Sequence, residues 1–220
     1  MKKAVVFDFD GTLVDSFDLI NRCLCETVGH FKNIIIPLEK AKEYFKFGPT
    51  EEGILQKSLT SNHKEAYIYF LNLYNSYHNE YFPKTLDQEL INIFSLIHEN
   101  GCKVILLTGR GKETLSISLA KLDAFKYFDG FYTGSTLGEV KCELLNELME
   151  EYGFSNDEIA YVGDSYRDTL SCKKAKVDCI TVTYFNKECV KKPDDIKQSF
   201  TIANSISELK NIISEVLKKQ

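Results

Sequence analysis

Five short runs rich in β-branched and aromatic residues constrain the fold of this chain most: Ala4 to Phe7, Lys103 to Leu107, Gly130 to Thr133, Ile159 to Val162 and Cys179 to Thr183. From the second run onward they alternate with stretches of helical periodicity, which is the signature of a parallel α/β sheet with right-handed crossovers. Before Lys103, the residues Leu90, Ile93, Phe94 and Ile97 fall at helical spacing and Gly101 follows as a stop. After Lys141, Leu144, Leu145, Leu148 and Met149 repeat the pattern and stop near Gly153.

Between the first run and the second lie about ninety-five residues without a strand pattern, far more than a crossover helix needs. An inserted helical domain is expected, placed at residues 15–83, with the core formed by 1–14 and 84–220. The total of 220 residues suits one core domain with a modest insertion. Inside the insertion Tyr67, Phe70, Tyr74, Tyr77 and Tyr81 recur at spacings of three and four, which lays them along one helix face. Core packing is the expectation for that stripe, and an aromatic ligand platform is the alternative. Pro37, the Gly48 Pro49 pair and Pro83 predict loops.

Hydrophobic residues make up 44% of the chain, with only four prolines and twelve glycines, so a disordered or collagen-like chain is excluded. The net charge of −5 argues against nucleic acid or an anionic membrane as partner. The apolar run in MKKAVVFDFDG is too short for a membrane span or a signal core, so a cytoplasmic protein is expected. The seven cysteines are scattered, without a CxxC pair or a histidine at zinc spacing, and predict reduced thiols.

After the first run the chain reads Asp8, Phe9, Asp10, Gly11, Thr12, Leu13, Val14, Asp15. If the extended form persists to Asp10, both carboxylates point to one side at the carboxyl end of the strand. That edge is where open α/β sheets bind ligands. Two carboxylates this close repel, so a cation or a shared proton is expected between them; an Asp-Gly turn closing a strand is the plainer reading. The second run ends in Thr108, Gly109 and Arg110, a hydroxyl, an open backbone amide and a guanidinium that could seat an oxyanion or phosphate. Past the fourth run comes Gly163, Asp164, Ser165, Tyr166, Arg167, Asp168; a helix starting near Ser165 turns Asp164 and Asp168 toward one site. Either fragment alone is also an ordinary turn or helix cap. Together they sit at the ends of different predicted parallel strands and converge on one crevice.

With these fragments in this order, the sequence resembles the haloacid dehalogenase superfamily of phosphotransferases over nearly its whole length. DFDGTL is similar to the first family motif, Thr108 to the second, Lys141 to the third and GDSYRD to the fourth. The resemblance implies a Rossmann-like core with a helical cap inserted after the first motif, as in phosphoglycolate phosphatase-like members. The segment Phe47, Gly48, Pro49, Thr50 is similar to the cap loop such members project over their site, which makes Gly48 a candidate substrate contact.

The activity implied is hydrolysis of a small phosphate monoester with Mg²⁺ as cofactor. Asp8 is then the nucleophile that becomes an aspartyl-phosphate, and Asp10 the acid and base. Asp8, the Asp10 backbone carbonyl and Asp164 are the implied metal ligands, with Asp168 holding a metal-bound water or orienting Lys141. Thr108, the Gly109 amide and Lys141 spread donor character over the transferring oxygens, and Thr12 buttresses the loop near substrate. Arg110 departs from the residues usual after the motif-two hydroxyl, and either recognises substrate or lies at the surface. The expected partner is a small phosphorylated metabolite, with the chain monomeric or dimeric. Three alternatives remain open: a β-phosphoglucomutase-like phosphate shuttle, a receiver-type phosphorylation switch, and an inactive binding protein on this fold.

Overall fold

The structure is a computed structural model that describes residues 1–47, 50–134, 141–185 and 201–218, with the side chains of 45–47 left aside. Its centre is a six-stranded sheet of β1 (Ala4–Phe7), β2 (Lys103–Thr108), β3 (Gly130–Thr133), β4 (Ile159–Gly163), β5 (Asp178–Val182) and β6 (Thr201–Ala203). The strands run parallel in the order β3-β2-β1-β4-β5-β6, so the direction of winding reverses at β1, between β2 and β4. Five of the six match the runs legible in the sequence. The sixth, three residues long, escapes any periodicity test because one and a half repeats of a period-two pattern carry no signal.

Both faces of the sheet are covered, and the strands sort their side chains by parity. Val5 and Phe7 of β1 join one apolar cluster with Val104, Leu106 and Val162, whereas Ala4 and Val6 join a second with Ile105, Leu107 and Tyr161. This two-sided burial explains why β1 reads as a continuous apolar run without alternation. The second face is covered by α6 (Lys141–Tyr152) and α7 (Tyr166–Ala175), through Leu145, Leu148 and Cys172. The first face carries α4 (Gln88–Glu99), α5 (Lys112–Lys121) and α8 (Ile206–Lys218).

The long stretch after β1 is helical, as its length and lack of strand pattern predict: α1 (Phe17–Lys32), a 3₁₀ segment (Leu38–Phe47), α2 (Glu51–Ser58) and α3 (His63–Tyr81). Pro37 and Pro83 lie in the loops before the 3₁₀ segment and after α3. Of the aromatic stripe on α3, Phe70 and Tyr74 are fully buried, and Tyr67, Tyr77 and Tyr81 pack partly buried against the same cluster as Phe7 and Phe9. The stripe is core. Gly48 and Pro49 lie outside the described residues. No helix among the described residues is long and apolar enough to cross a membrane, and Cys23, Cys25, Cys102, Cys142, Cys172 and Cys179 are free thiols.

His78 on α3 carries a prediction about acid stability. It is buried where α3 meets α5, with Nε2 at 3.2 Å from Ser118 Oγ, Tyr74 and Phe82 against its ring, and Arg110 and Lys121 as nearby cations. Burial, reinforced by those two cations, lowers its pKa from 6.5 to about 4. Between those values the unfolded chain binds a proton that the folded one refuses, so the group costs stability as pH falls from 6.5 to 4 and costs nothing above. In His78→Gln the difference in denaturation midpoint from wild type should therefore shift in the variant's favour across that window. A difference that stays constant from pH 7.5 to 4 would refute this account.

Candidate active site

The segments that follow β1 and β4 meet at the carboxyl edge of the sheet, the point where it reverses its winding and where such sheets open a crevice. Asp8 follows β1, Asp164 follows β4, and Asp168 sits in the first turn of α7. All three are buried, and one carboxylate oxygen from each lies within 4.8 Å of the others. Gly11 shapes the approach: its φ is +73°, and a Cβ there would come within 2.1 Å of Asp164 Oδ2. Gly163 plays the same part opposite Asp168, where a Cβ would lie 2.6 Å from the carboxyl carbon.

Asp168 is held from several sides. Its oxygens accept hydrogen bonds from the Ser165 amide at 2.9 Å, Ser165 Oγ at 2.5 Å and Tyr161 Oη at 2.9 Å, and it pairs with Lys141 Nζ at 2.5 Å. Burial alone would raise its pKa, but Lys141 and the Ser165 hydrogen bonds outweigh that and hold it low. Lys141 opens α6 and bridges to Asp8 Oδ2 at 2.9 Å, so one ammonium serves two carboxylates, and its own pKa is driven up by them against the effect of burial. The other two acids lean the opposite way. Burial, with the field of neighbouring carboxylates and in spite of Lys141, raises Asp8 to about 7 and Asp164 to about 8. Asp8 Oδ1 is buried without a hydrogen-bond partner.

These properties fit a hard divalent cation. Carboxylates crowded in a buried pocket, two of them reluctant to ionise because burial removes their water, with one oxygen orphaned, form an oxygen donor set of the type that Mg²⁺ takes. Within the cluster, Asp168 is the member already engaged by Lys141, Tyr161 and Ser165.

Asp10 behaves differently from the paired geometry the strand extension suggests. The strand stops at Phe7, and Asp10 is not among the ligand atoms of the acidic cluster. Its carboxylate accepts a hydrogen bond from Ser16 Oγ and two from Arg110, Nε at 3.0 Å and Nη2 at 2.5 Å. The counter-charge expected for the two aspartates therefore comes from separate cations, Lys141 on Asp8 and Arg110 on Asp10. Arg110 is buried, which corrects the surface alternative for it.

Thr108 is buried at the end of β2, its Oγ1 accepting from the Arg110 amide at 3.2 Å, with Gly109 between them. Thr12 is also buried; its carbonyl accepts from Tyr184 Oη at 2.6 Å, and its own hydroxyl lacks a partner. Phe7 and Phe9, flanking Asp8, are core residues. Gly48 lies outside the described residues. The structure adds residues that sequence reasoning did not single out. Ser16, Tyr161 and Ser165 support the acids, Ser165 from the helix start that the fourth motif marks. Glu51 and Ser118 join Tyr74 around Arg110, and nothing in the spacing of the chain signals them.

A parallel sheet of this order, with acids and a lysine gathered at its switch point on the DxDGT and GDxxxD segments, defines a class of α/β hydrolases that handle phosphoryl groups. The chain belongs to the haloacid dehalogenase-like hydrolase family, whose model matches residues 5–182. It is 24% identical over 198 residues to phosphoglycolate phosphatase 1 of Pseudomonas aeruginosa, covering 84% of this chain and 70% of that protein. It is 25% identical over 187 residues to pyrophosphatase PpaX of Bacillus mycoides, covering 82% and 83%. Among solved structures, CbbY from Rhodobacter sphaeroides in complex with phosphate superposes with a TM-score of 0.78 at 14% identity, over 95% of this chain and 96% of that one. Family membership makes the protein a hydrolase of the haloacid dehalogenase type, and the relatives it resembles are phosphatases and pyrophosphatases.

Proposed function

We propose that the protein hydrolyses a small phosphate monoester through an aspartyl-phosphate formed on Asp8, with Mg²⁺ as cofactor. The observation that carries this is Asp8 itself, a buried carboxylate with one oxygen unpartnered and the other on Lys141. Asp8 attacks phosphorus, the bond to the leaving oxygen breaks, and Asp10 delivers a proton to that oxygen. Asp10 then takes a proton from the water that attacks the phosphoenzyme, releasing phosphate and restoring Asp8. Lys141, the Thr108 hydroxyl and the Gly109 amide bind the equatorial oxygens, where preorganised donors contribute most. Asp8, Asp164 and the Asp10 main chain would hold the Mg²⁺, which supplies the positive charge that lets a dianionic phosphoryl group enter a pocket of acids. Residues 15–83 form a cap over the crevice that excludes water and selects the leaving group. Thr12 supports the loop beneath it.

A panel of phosphoglycolate, pyrophosphate, sugar phosphates and nucleoside monophosphates, assayed for released phosphate with Mg²⁺, tests the reading. Chelation with EDTA should stop turnover, Mg²⁺ should restore it, and Ca²⁺ should inhibit, because calcium takes a larger and looser shell of oxygens. Undiminished turnover in EDTA would rule the metal-dependent mechanism out.

A further inference from the structure

Arg110 lies two residues beyond the end of β2 with its side chain only 1% exposed. A guanidinium keeps its charge in proteins, so a buried one must be met by acceptors. Here they arrive from two directions. From the sheet side, both Asp10 oxygens receive the Nε and Nη2 fork, and Ser118 Oγ of α5 lies 3.1 Å from Nη1. From the inserted helices, Tyr74 Oη of α3 accepts from Nη1, and Glu51 Oε1 of α2 stands 3.9 Å from Nε. Glu51 is itself buried and clamps the start of α5, accepting from the Gly111 amide at 3.1 Å and Thr114 Oγ1 at 2.8 Å. The rings of Phe9 and Tyr74 lie against the guanidinium carbon, at 5.1 and 5.4 Å from their centroids.

Each of the three guanidinium nitrogens is thus engaged inside the protein. A bidentate fork fixes the plane of the carboxylate it grips, which a single hydrogen bond from Ser16 cannot do. The far side of the same guanidinium is fixed by side chains that belong to the insertion.

We propose that Arg110 is a positioning residue that locks the Asp10 carboxylate when the inserted helices are docked, coupling the acid-base step to docking through Tyr74 and Glu51. The proposal rests on the reading of Asp10 as proton donor. It replaces direct substrate recognition by Arg110, because the nitrogens that would bind a substrate are engaged by Asp10, Tyr74 and Ser118.

The test compares an alkyl phosphate, whose leaving alkoxide needs a proton, with p-nitrophenyl phosphate, whose leaving group hardly does. Arg110→Lys keeps the charge and removes the fork; kcat on the alkyl ester should fall by about 10²-fold and on p-nitrophenyl phosphate by less than about threefold, with KM little changed. Tyr74→Phe removes one oxygen from a retained ring, so it tests the coupling even if Arg110→Lys folds poorly. It should show the same selectivity with a loss of about tenfold on the alkyl ester. In an Asp10→Asn background, Arg110→Lys should add no further loss on the alkyl ester, since a positioning residue has nothing left to position. Equal losses on both esters, or an additive loss in that background, with Asp10→Asn alone still selective for the alkyl ester, would overturn the positioning role only. An Asp10→Asn variant that is itself unselective would overturn the reading of Asp10 and the positioning role with it.

Discussion

Asp8→Asn is expected to lower kcat by about 10³-fold or more while leaving the protein as stable as wild type or more so. Asparagine preserves the volume of the side chain but offers no carboxylate oxygen to phosphorus. The stability half of the expectation comes from the pocket. Burial and neighbouring acids push the Asp8 pKa to about 7 even with Lys141 at 2.9 Å, so the ionised form is disfavoured there and a neutral side chain relieves the repulsion. Oδ1 has no partner to lose, and Lys141 retains Asp168. A residue whose removal abolishes activity without destabilising the fold is the mark of a strained functional site. Turnover at a tenth of wild type, or a large fall in thermal midpoint, would refute it. Both are read on the same purified variant.

Lys141→Met should damage both properties. Its ammonium bridges Asp8 and Asp168, so the substitution leaves two buried carboxylates without their cation, and breaking a buried pair from one side typically costs about 3–5 kcal/mol. Loss of its charge from the transferring oxygens should lower kcat by about 10²- to 10³-fold. The two effects can be separated by Asp168→Asn. Added to Lys141→Met, it removes one stranded charge and should recover part of the stability, with no recovery of turnover, so the denaturation midpoints of the pair are non-additive. Additive midpoints would show that Lys141 and Asp168 do not stabilise one another. Restored activity in the double variant would show that Lys141 serves only to neutralise Asp168.

The contrast between Lys141 and Arg110 shows where reading the chain succeeds and where it fails. Lys141 is an ordinary lysine by its local surroundings, and only its order among DFDGTL, Thr108 and GDSYRD singled it out. The structure then sets its ammonium between Asp8 and Asp168. The same ordering marks Arg110, yet its partner is Asp10, one hundred positions away, and the direction of its side chain has no local signature. Glu51 is a further step removed. It sits in the first turn of α2, where a glutamate is ordinary on grounds of the helix dipole, and nothing nearby in sequence tells of the Gly111 amide and Thr114 hydroxyl it meets. Gly11 lies between these cases. The sequence marks it as a turn glycine, whereas its close approach to Asp164 is a matter of two loops meeting.

Periodicity and spacing carry five of the six strands, the helical stretches that alternate with them, the long helical insertion after β1, and the acids that end the strands. These follow from local rules, since two-residue alternation, 3.6-residue stripes and the turn chemistry of glycine act over a few positions. Which charge answers which emerges only when the segments pack: Lys141 is shared by Asp8 and Asp168, Arg110 is taken by Asp10, Tyr74 becomes a hydrogen-bond partner as well as a stripe member, and His78 is held neutral between α3 and α5. The reason is physical. Pairing energies and pKa shifts depend on distance and on water removed, and both are properties of chain segments brought together from tens to more than a hundred positions apart.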